Sequence, residues 1–397
     1  MRSRERLVPL RNSIALSSVI AACILLWSYI NDAGERQTLN RAPLFDSTKG
    51  GEGCDGHVYR QSHQLSLTPG EDLEDFAKSG PLGGTHEFSL SRVYPETETS
   101  ISGCCHILLL YGMGPTDLPD FVSGESALRL LLSESNAIQA IGKSPFVRTR
   151  HGIRYHLVGD PIFESDVGEA HRDQCLATFA AISLPVNTPI KLSAGEYVVA
   201  DLLRESIANF TLEQTEIEWT AMSLVKYLPP ERRWRNRFGE ETSFSQLTLE
   251  LIGRNSNQES CAGVHVFQAL VEIDREDKRH DILDRSSRKA LDSYLRKTVS
   301  ALTISQSGDG SWGWNWCKLR PGPRGMTPFE MNFLVTGHLT EVLVGMDADR
   351  RPPFEVCNRG IAWLRKSLAE GEFRKDRSWV CPYTHAARAV LRPLPRY

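Results

Sequence analysis

The sequence carries little net charge of either sign. Its 397 residues contain 46 Lys+Arg against 49 Asp+Glu, for a formal charge of −3. This balance excludes a polyanion binder that works by bulk charge, and it excludes an acidic disordered tail. Cysteine is scarce as well, because 9 residues are too few for a scaffold built from disulfides. With 41% hydrophobic and 24% charged residues, the composition is globular and fits two or three domains, or one large helical domain.

Several short motifs that carry well-defined chemistry are missing. The chain has no P-loop, no G-x-S-x-G elbow and no H-E-x-x-H pair. These absences disfavour nucleotide binding, α/β-hydrolase chemistry and zincin chemistry. No C-x-x-C pair occurs either, and the disulfide pairing cannot be assigned from the sequence. The charge balance also predicts no nucleic acid partner.

The N-terminal segment predicts a membrane anchor. Four arginines precede or enter an uncharged apolar run, residues 14–30, which at ~1.5 Å per residue is just long enough to cross the hydrocarbon core. The positive flank predicts a single-pass protein of the cytoplasmic (inner) membrane with the bulk of the chain exported. A cleaved signal peptide and lipidation at Cys23 are the alternatives. Residues 1–30 are therefore expected as a signal anchor and the Gly-rich residues 31–63 as a flexible linker.

Behind the linker, two regions differ in their pattern. Residues 64–196 mix short apolar helices with alternating segments that predict β-hairpins, one at His151-Gly152 and one at Ala194-Gly195. Residues 197–397 are almost entirely helical in pattern. Four helices there have one apolar stripe at helical spacing, which is typical of one buried face. These stripes lie in residues 199–210, 244–251, 291–302 and 354–368.

Helices of a second kind alternate with these four, since they are apolar on several sides and keep polar groups inside. They carry Trp219, His265, His338 and His385, with 46 residues between the first two and 47 between the last two. A repeat at this period indicates helical hairpins with an outer and an inner member. The expected fold is therefore mainly α: an incomplete α/α-toroid behind a small mixed α/β region and the transmembrane helix. An open α-solenoid is the alternative.

One segment resembles a known repeat. Residues 301–312 read A-L-x3-Q-x3-G-x-W, which is similar to the repeat of squalene and oxidosqualene cyclases, although Ala replaces their aromatic residue. Residues 359–368 resemble an incomplete second copy, R-G-x2-W-L-x3-L. The resemblance covers about residues 198–397 and implies the α/α-toroid of terpenoid cyclases and protein prenyltransferases. There, Gln306 at the end of an outer helix would bridge to the next repeat and Trp312 would stack on it.

Shorter strings resemble an uncharacterised family of exported or membrane-tethered bacterial proteins that share this toroid. They are E-S-C-A-G-V-H ending at His265, T-G-H-L-T-E ending at Glu341 and T-H-A-A-R around His385. That family supplies no activity that carries over. The acid motifs of proton-initiated cyclases and the D-D-x-x-D of ionising terpene synthases are absent. The resemblance therefore implies a fold and no reaction.

The pattern Cys-x3-His predicts a metal site, because residues i and i+4 of a helix face the same way. It occurs twice, and the two copies together offer Zn²⁺ two thiolates and two imidazoles: Cys261, His265, Cys381 and His385. Polar residues satisfied at contacts between inner helices are the alternative. Pro382 predicts that Cys381 lies at or before the start of its helix, which weakens the second copy.

The inner-helix histidines also suggest acid–base chemistry without a metal. The candidate catalytic groups are His265, His338 and His385, with Glu341 tuning one of them. His338 and Glu341 can alternatively complete or orient the zinc site. In either case these side chains are expected to converge on one cavity.

Aromatic and acidic residues suggest where a ligand would bind. Glu218 and Trp219 offer a carboxylate and an aromatic wall for a sugar or a lipid. A Gly-rich loop adds Asp309, Trp312 and Trp314 as candidates for a carbohydrate or a polyprenyl chain. Packing between repeats explains Trp312 equally well.

Two further polar segments are explained without a site. Glu169, His171 and Asp173 suggest a helix N-terminus, where the helix dipole favours acids. The arginine run in residues 232–237 follows two prolines and predicts a solvated turn, with contact to anionic lipid or another subunit as the alternative.

Two functions remain open from the sequence, and whether the protein is an enzyme is undetermined. The first is a membrane-anchored exported protein whose toroid acts on a lipid-like or glycan ligand in its central cavity. The alternative is a non-catalytic scaffold that binds a peptide, glycan or partner protein at the membrane surface. A deep pocket with converging His and Cys would favour the enzyme, and a filled apolar centre would favour the scaffold.

Overall fold

A computed structural model describes residues 88, 90–93, 100–112, 123–160, 167–230, 233–254, 261–317, 325–374 and 377–392 of the chain. The chain divides into two units, Met1–His57 and Val58–Tyr397, and every described residue belongs to the second unit. The predicted anchor, residues 1–30, and the predicted linker, residues 31–63, lie outside the described residues. Within the described residues, no helix has both the length and the apolar character that a membrane span requires.

The described residues fold mainly as α-helices, which confirms the mainly α character of the predicted fold. In chain order these helices are α1 Ile101–Tyr111, α2 Gly124–Leu131, α3 Glu134–Ile141, α4 Gln174–Ala181, α5 Val199–Asn209, α6 Ile217–Tyr227, α7 Phe244–Gly253, α8 Val264–His280, α9 Arg285–Ser305, α10 Pro328–Gly345, α11 Phe354–Glu370 and α12 Arg377–Leu391. Three short 3-10 turns lie at Leu90–Arg92, Cys261–Gly263 and Ala348–Arg350.

Three small antiparallel hairpins accompany the helices. Their strands are β1 Phe146–Arg148 with β2 Ile153–Tyr155, β3 Pro189–Leu192 with β4 Gly195–Val198, and β5 Arg233–Arg235 with β6 Glu241–Ser243. The first two hairpins confirm the predictions at His151-Gly152 and Ala194-Gly195. The third corrects the expectation of a solvated turn, because Trp234 is buried between two exposed arginines and therefore alternates as a strand does.

The two kinds of helix differ in burial as their patterns predict. In α7 the buried residues are those of its apolar stripe: Phe244, Leu247, Thr248 and Leu251. Helix α10, in contrast, is buried from Val335 to Val344 without a break. Its start is fixed by a capping box between Thr327 and Glu330, in which each side chain accepts a hydrogen bond from the backbone of the other.

The helices with buried polar groups contact one another in a closed circuit. Helix α1 contacts α4, α4 contacts α6, and α6 contacts α8. Helix α8 in turn contacts α10, α10 contacts α12, and α12 contacts α1 again. Three of the other helices pack against pairs of these: α5 against α4 and α6, α7 against α6 and α8, and α11 against α10 and α12. Helix α9 packs against α8 and α7. Because α1 and α4 belong to residues 64–196, the circuit joins that region to residues 197–397.

The segment that resembles a cyclase repeat lies at the end of α9 and contacts α11, two of the helices with one apolar stripe. Gln306 follows the last residue of α9, and its Nε2 donates to the carbonyls of Gly310 and Val356 at 2.9 Å each. Gly310 has φ 97°, and a Cβ there would lie 2.5 Å from the Arg359 carbonyl oxygen, so only glycine fits. The resemblance implies that Gln306 bridges from the end of its helix to the next repeat, and its side chain does reach Val356 in α11.

Candidate functional site

Five histidine side chains converge among the described residues. His106 comes from α1 and His171 from the loop before α4, while His265, His338 and His385 come from α8, α10 and α12. The ring centres of His338 and His385 are 3.7 Å apart. His265 lies 5.1 Å from His338 and 5.7 Å from His385. His106 is 5.7 Å from His385, and His171 is 6.1 Å from His265, so the three predicted catalytic histidines form the centre of a larger cluster.

A left-handed turn carries Cys261 to the histidines. Cys261, Ala262 and Gly263 have φ values of 52°, 57° and 72°, and α8 begins only after them. The expectation that Cys261 lies on the helix one turn before His265 is therefore wrong. Left-handed backbone is costly for residues with a Cβ, and the buried Trp316 helps to hold the turn because its indole Nε1 donates to the Ala262 carbonyl at 3.0 Å.

Cys381 reaches the same cluster from α12. This helix begins at Arg377 and continues through Pro382, so the predicted helix start at the proline is wrong. The packing of α12 against α10 and α1 outweighs the backbone hydrogen bond that a proline inside a helix removes. As a result Cys381 lies inside the helix, with its Sγ 3.6 Å from Nε2 of His338.

The thiols and imidazoles form two adjoining groups of metal-ligand type. The ligand atoms within each group all lie within 4.8 Å of one another, and the groups are Cys261, His265 and His338, and His106, Cys381 and His385. The contact between Cys381 and His338 joins the two groups. Ligand atoms around one tetrahedral zinc, bonded at ~2.0–2.3 Å, lie roughly 3.4–3.8 Å apart. Small side-chain movements would therefore bring a group onto an ion.

Two of the imidazoles are oriented by acceptors at Nδ1. His385 donates to Glu341 Oε2 at 2.5 Å, and His265 donates to Gln268 Oε1 at 3.1 Å. These bonds fix the tautomer that has its lone pair on Nε2. The Nε2 atoms of His265 and His385 are buried and have no hydrogen-bond partner. Because a buried polar atom without a partner is costly, these lone pairs are suited to bind a metal ion.

His338 shows the same arrangement. Its Nδ1 donates to the Leu334 carbonyl at 2.8 Å, and its Nε2 faces the Cys381 thiol. Histidines that bind metals almost always donate their second ring nitrogen to a carboxylate, a carbonyl or another acceptor, which sets the ring orientation and raises its basicity. The three rings from α8, α10 and α12 all meet this condition.

The thiol of Cys261 is the more acidic of the two cysteines. A hydrogen bond from the Cys381 thiol lowers the pKa of Cys261, and positive charge on His338 and His265 adds to this effect against burial. Burial opposes charge on His338, but the Cys261 thiolate and the Leu334 carbonyl raise the pKa of His338 overall. The hydrogen bond with Cys261 raises the pKa of Cys381. A thiolate beside the histidines is the form in which cysteine binds a metal.

Glu341 carries its charge inside the protein. Burial acts to raise the pKa of Glu341, but Arg388 and then His385 hold it below its ordinary value. Arg388 Nη1 lies 2.7 Å from Glu341 Oε1, and Arg392 Nη1 lies 3.8 Å from the same oxygen. Burial and the charge of His338 lower the pKa of His385 to about 3, so this ring is neutral. The carboxylate is thus balanced by arginine and orients a neutral imidazole.

A cavity of about 450 Å³ lies beside the cluster. All six helices of the closed circuit contribute to its lining. His265 and His385 face it together with Trp219, whose ring centre is 4.5 Å from that of His265. His171 stacks on Trp219 with the ring centres 4.9 Å apart. A volume of this size is typical of a site for a small molecule.

The predicted ligand-binding residues lie in different places. Trp219 lines the cavity, whereas Glu218 is fully buried in α6 and does not contribute to the lining. Asp309 accepts a hydrogen bond within its own loop, and Trp312 is fully buried with its Nε1 bonded to a carbonyl of α9. Trp314 is half-buried against the core. Packing between helices, the alternative for Trp312, accounts for the contacts of all three loop residues.

Two members of the cluster leave no usable signal in the sequence. His106 lies in a helix that is mostly apolar, which is the pattern of an ordinary buried histidine. His171 stands among acids that suggest a helix N-terminus, yet Asp173 makes no capping bond there. Instead His171 donates from Nδ1 to Glu216 Oε1 at 2.7 Å, across 45 residues of sequence.

No known protein family, curated protein or solved structure matches this chain. The resemblance to squalene cyclase-like toroids, and to the membrane-tethered bacterial family, therefore stays a prediction from the motifs. Function must be inferred from the chemistry of the cluster and its cavity.

Proposed function

We propose that the protein is a zinc-dependent enzyme whose metal centre lies beside the cavity. Cys261, His265 and His338 would hold the ion, and Cys381, next to His338, is within reach as a further ligand. Sets that mix thiolate and imidazole are typical of zinc. Zinc supplies Lewis acidity, which polarises a carbonyl or phosphoryl oxygen and lowers the pKa of a bound group.

The orientation of the imidazoles carries this proposal. Each of His265, His338 and His385 donates from Nδ1 to a fixed acceptor, and two of the three Nε2 atoms are buried without a partner. Packing alone gives no reason for two such lone pairs next to two thiols. A metal ion gives that reason for His265, because it takes Nε2 and thiolate together and leaves Nδ1 for a supporting hydrogen bond. The Nε2 of His385 then stays available to exchange a proton.

His385 would transfer protons to and from the substrate, with Glu341 as its positioning residue. His385 lines the cavity and is neutral, so its Nε2 can accept a proton. The Glu341 carboxylate fixes the tautomer and stabilises the ring when it becomes protonated. With His385 in this role, the zinc ion would be bound by His265, His338 and the thiols.

The architecture around the site is proposed to be an incomplete α/α-toroid. The closed circuit of contacts from α1 through α12 and the cavity lined by its six helices support this reading. The substrate is then a lipid-like or glycan molecule in the central cavity. We also propose that residues 14–30 anchor the body to the cytoplasmic membrane with the bulk exported; protection of the body from protease in intact cells would contradict export.

Metal analysis of the purified full chain tests the zinc centre. We expect about one zinc ion per chain, and a loss of at least about tenfold in zinc affinity for His265→Ala. His151→Ala is the matched control, because His151 lies in the turn between β1 and β2 and outside the cluster. An absence of zinc in the wild-type chain would overturn the proposal.

Cobalt substitution separates an enzyme from the alternative, a non-catalytic scaffold that binds a peptide, glycan or partner protein. Four protein ligands close a structural site, whereas a catalytic site keeps a position open. Azide added to the Co²⁺ form should therefore shift the visible absorption bands if the protein is an enzyme. Unchanged bands would favour the scaffold, with Cys381 as the fourth ligand.

A further inference from the structure

The cavity beside the cluster has an excess of positive charge among its described lining residues. Four cationic side chains line it, Lys226, Arg275, Arg388 and Arg392, against two carboxylates, Glu272 and Glu341. The cations come from α6, α8 and the end of α12, so the charge results from tertiary packing and does not appear as a basic run in the sequence.

Each of the two carboxylates is already shared between two cations. Glu341 is 2.7 Å from Arg388 and 3.8 Å from Arg392. Glu272 is 2.9 Å from Lys226 and 2.8 Å from Arg275. Glu276 also contacts Lys226, at 3.0 Å, but it does not line the cavity and shares its charge with Arg279. Asp347, which also does not line the cavity, lies 3.9 Å from Nε of Arg275. Among the lining residues themselves, cationic side chains outnumber carboxylates by two.

Arg388 has a donor without an acceptor. Its side chain is 8% exposed, and its Nε is buried with no hydrogen-bond partner. The nearby Trp219 Nε1 is also buried without a partner and belongs to the same lining. A guanidinium carries five N–H donors in a fixed fork, which suits carboxylate and phosphate groups. Donors buried in this way are costly unless an acceptor reaches them.

Two other guanidinium groups approach each other at Gly345. A Cβ on this residue would lie 3.3 Å from Nη1 of Arg392 and 3.9 Å from Nη2 of Arg275. Glycine thus leaves room for two like charges on one side of the cavity. Arg275 Nη2 also donates to the Gly345 carbonyl. Two guanidinium groups on one side of the cavity attract an anion.

Part of the remaining lining is apolar, beside the polar side chains of Thr178 and Gln268. This apolar part consists of aliphatic and thioether side chains from α1, α4, α6 and α10: Leu109, Ala177, Ala181, Met222 and Val344. It suits a hydrocarbon chain.

We infer that the substrate of this cavity is an anionic amphiphile, a carboxylate or phosphate group joined to an apolar body. Arg388, Arg392 and Arg275 would bind the anionic group, and the aliphatic wall would bind the body. The inference rests on the proposed function only for the statement that this ligand is the substrate of the zinc centre. Of the two ligand classes in the proposed function, lipid-like and glycan, the inference selects the lipid-like class.

Isothermal titration calorimetry of the full chain with three eight-carbon probes tests the inference. Octanoate supplies a carboxylate, octyl phosphate supplies a phosphate, and octan-1-ol supplies the same body without charge. We expect at least one anionic probe to bind at least about tenfold more tightly than octan-1-ol, and the tighter anion identifies the headgroup. Equal binding of all three probes, or no binding of either anion, would overturn the inference.

Two arginine variants locate the anion. Arg392→Gln and Arg388→Gln should each weaken the anionic probe at least about tenfold and leave octan-1-ol unchanged. Arg392 is 37% exposed, so its variant keeps the test valid if Arg388→Gln fails to fold. Arg279→Gln is the matched control, because Arg279 is 62% exposed on α8 and does not line the cavity. Unchanged anion affinity in Arg392→Gln would contradict the assignment.

Zinc content measured on the same samples keeps the two proposals apart. A chain with zinc but no preference for the anionic probes refutes the anionic substrate and leaves the zinc enzyme standing. A chain without zinc that still prefers the anionic probes refutes the zinc enzyme and leaves the anion site standing.

Discussion

At the scale of single residues, the least expected charge state belongs to Glu169. Its side chain lies between β2 and α4, is buried, and accepts a hydrogen bond from the Cys175 backbone N–H at 2.6 Å. Burial raises the pKa of Glu169 to about 8, although the hydrogen bond from Cys175 acts in the opposite direction. The carboxyl is therefore protonated in the folded chain at neutral pH, whereas it is ionised in the unfolded chain.

This difference predicts that the protein loses stability as the pH rises. The contribution of Glu169 is complete below pH 4.5, its ordinary pKa, and is lost as the pH rises to about 8. The slope in that window is at most about 1.4 kcal/mol per pH unit. Glu169→Gln keeps an oxygen for Cys175 and removes the titration, so its free energy of unfolding should fall less between pH 5 and pH 8. Parallel urea-denaturation results for the two chains would contradict the assignment.

Gly360 predicts a second effect at the residue scale. A Cβ on this helical glycine would lie 2.8 Å from Cζ3 of Trp312 and 2.9 Å from Oγ1 of Thr340. Gly360→Ala should therefore destabilise the protein by about 1–3 kcal/mol through overpacking. Gly253→Ala is the control, because nothing lies within 4 Å of its new Cβ and alanine favours the helix. Urea denaturation that ranks Gly360→Ala at or above the control would contradict this packing.

Part of the site could be predicted residue by residue. His265, His338 and His385 stand out because polar residues recur on helices that are otherwise apolar. The cluster in which these three histidines meet also contains His106 and His171, and neither of those two residues has a distinctive spacing in the sequence. Single buried histidines are common, so only the fold tells a structural one from a member of the cluster.

At the scale of elements, the turn before α8 determines where Cys261 lies. Helical spacing predicts that Cys261 and His265 share a face, and they do lie near each other, but for a different reason. Three left-handed residues in a row reverse the chain, and only the last of them is glycine. The dipeptide Ala262-Gly263 does not by itself predict this left-handed turn, because the turn is supported by a hydrogen bond from Trp316 in a distant loop.

The bond from Trp316 to this turn makes it a positioning residue for the metal centre. Trp316→Phe keeps the apolar ring and removes the donor to the Ala262 carbonyl, so we expect zinc affinity to fall by about 10- to 100-fold. Trp363→Phe is the matched control, because its indole bonds Asp309 on the exposed side of α11. Competition with a chromophoric zinc chelator measures both. Equal affinity in the two variants would contradict the role of Trp316.

The helices themselves were predictable, because their burial follows their apolar periodicity. The stripe of α7 is buried as its spacing predicts, and α10 is buried on all sides as its mixed pattern predicts. The start of α12 was not predictable, since Pro382 normally marks the first turn of a helix. Long-range packing against α10 and α1 determines that boundary.

At the scale of the whole molecule, the closed order of the six helices determines what the cavity contains. The helices of residues 197–397 supply four members of the circuit, and α1 and α4 supply the other two. Local patterns distinguish inner from outer helices, yet they do not tell which distant helices meet to close the circuit. The positive charge of the cavity also depends on which distant helices meet, because its arginines come from α8 and the end of α12.

Zinc K-edge X-ray absorption of the purified full chain tests the central claim most directly, because it reports the atoms bound to the metal. The account predicts a zinc ion with sulfur near ~2.3 Å and nitrogen near ~2.0–2.1 Å, and a loss of sulfur in Cys261→Ser. A chain that binds no zinc, or a shell of oxygen and nitrogen alone that Cys261→Ser leaves unchanged, would contradict it.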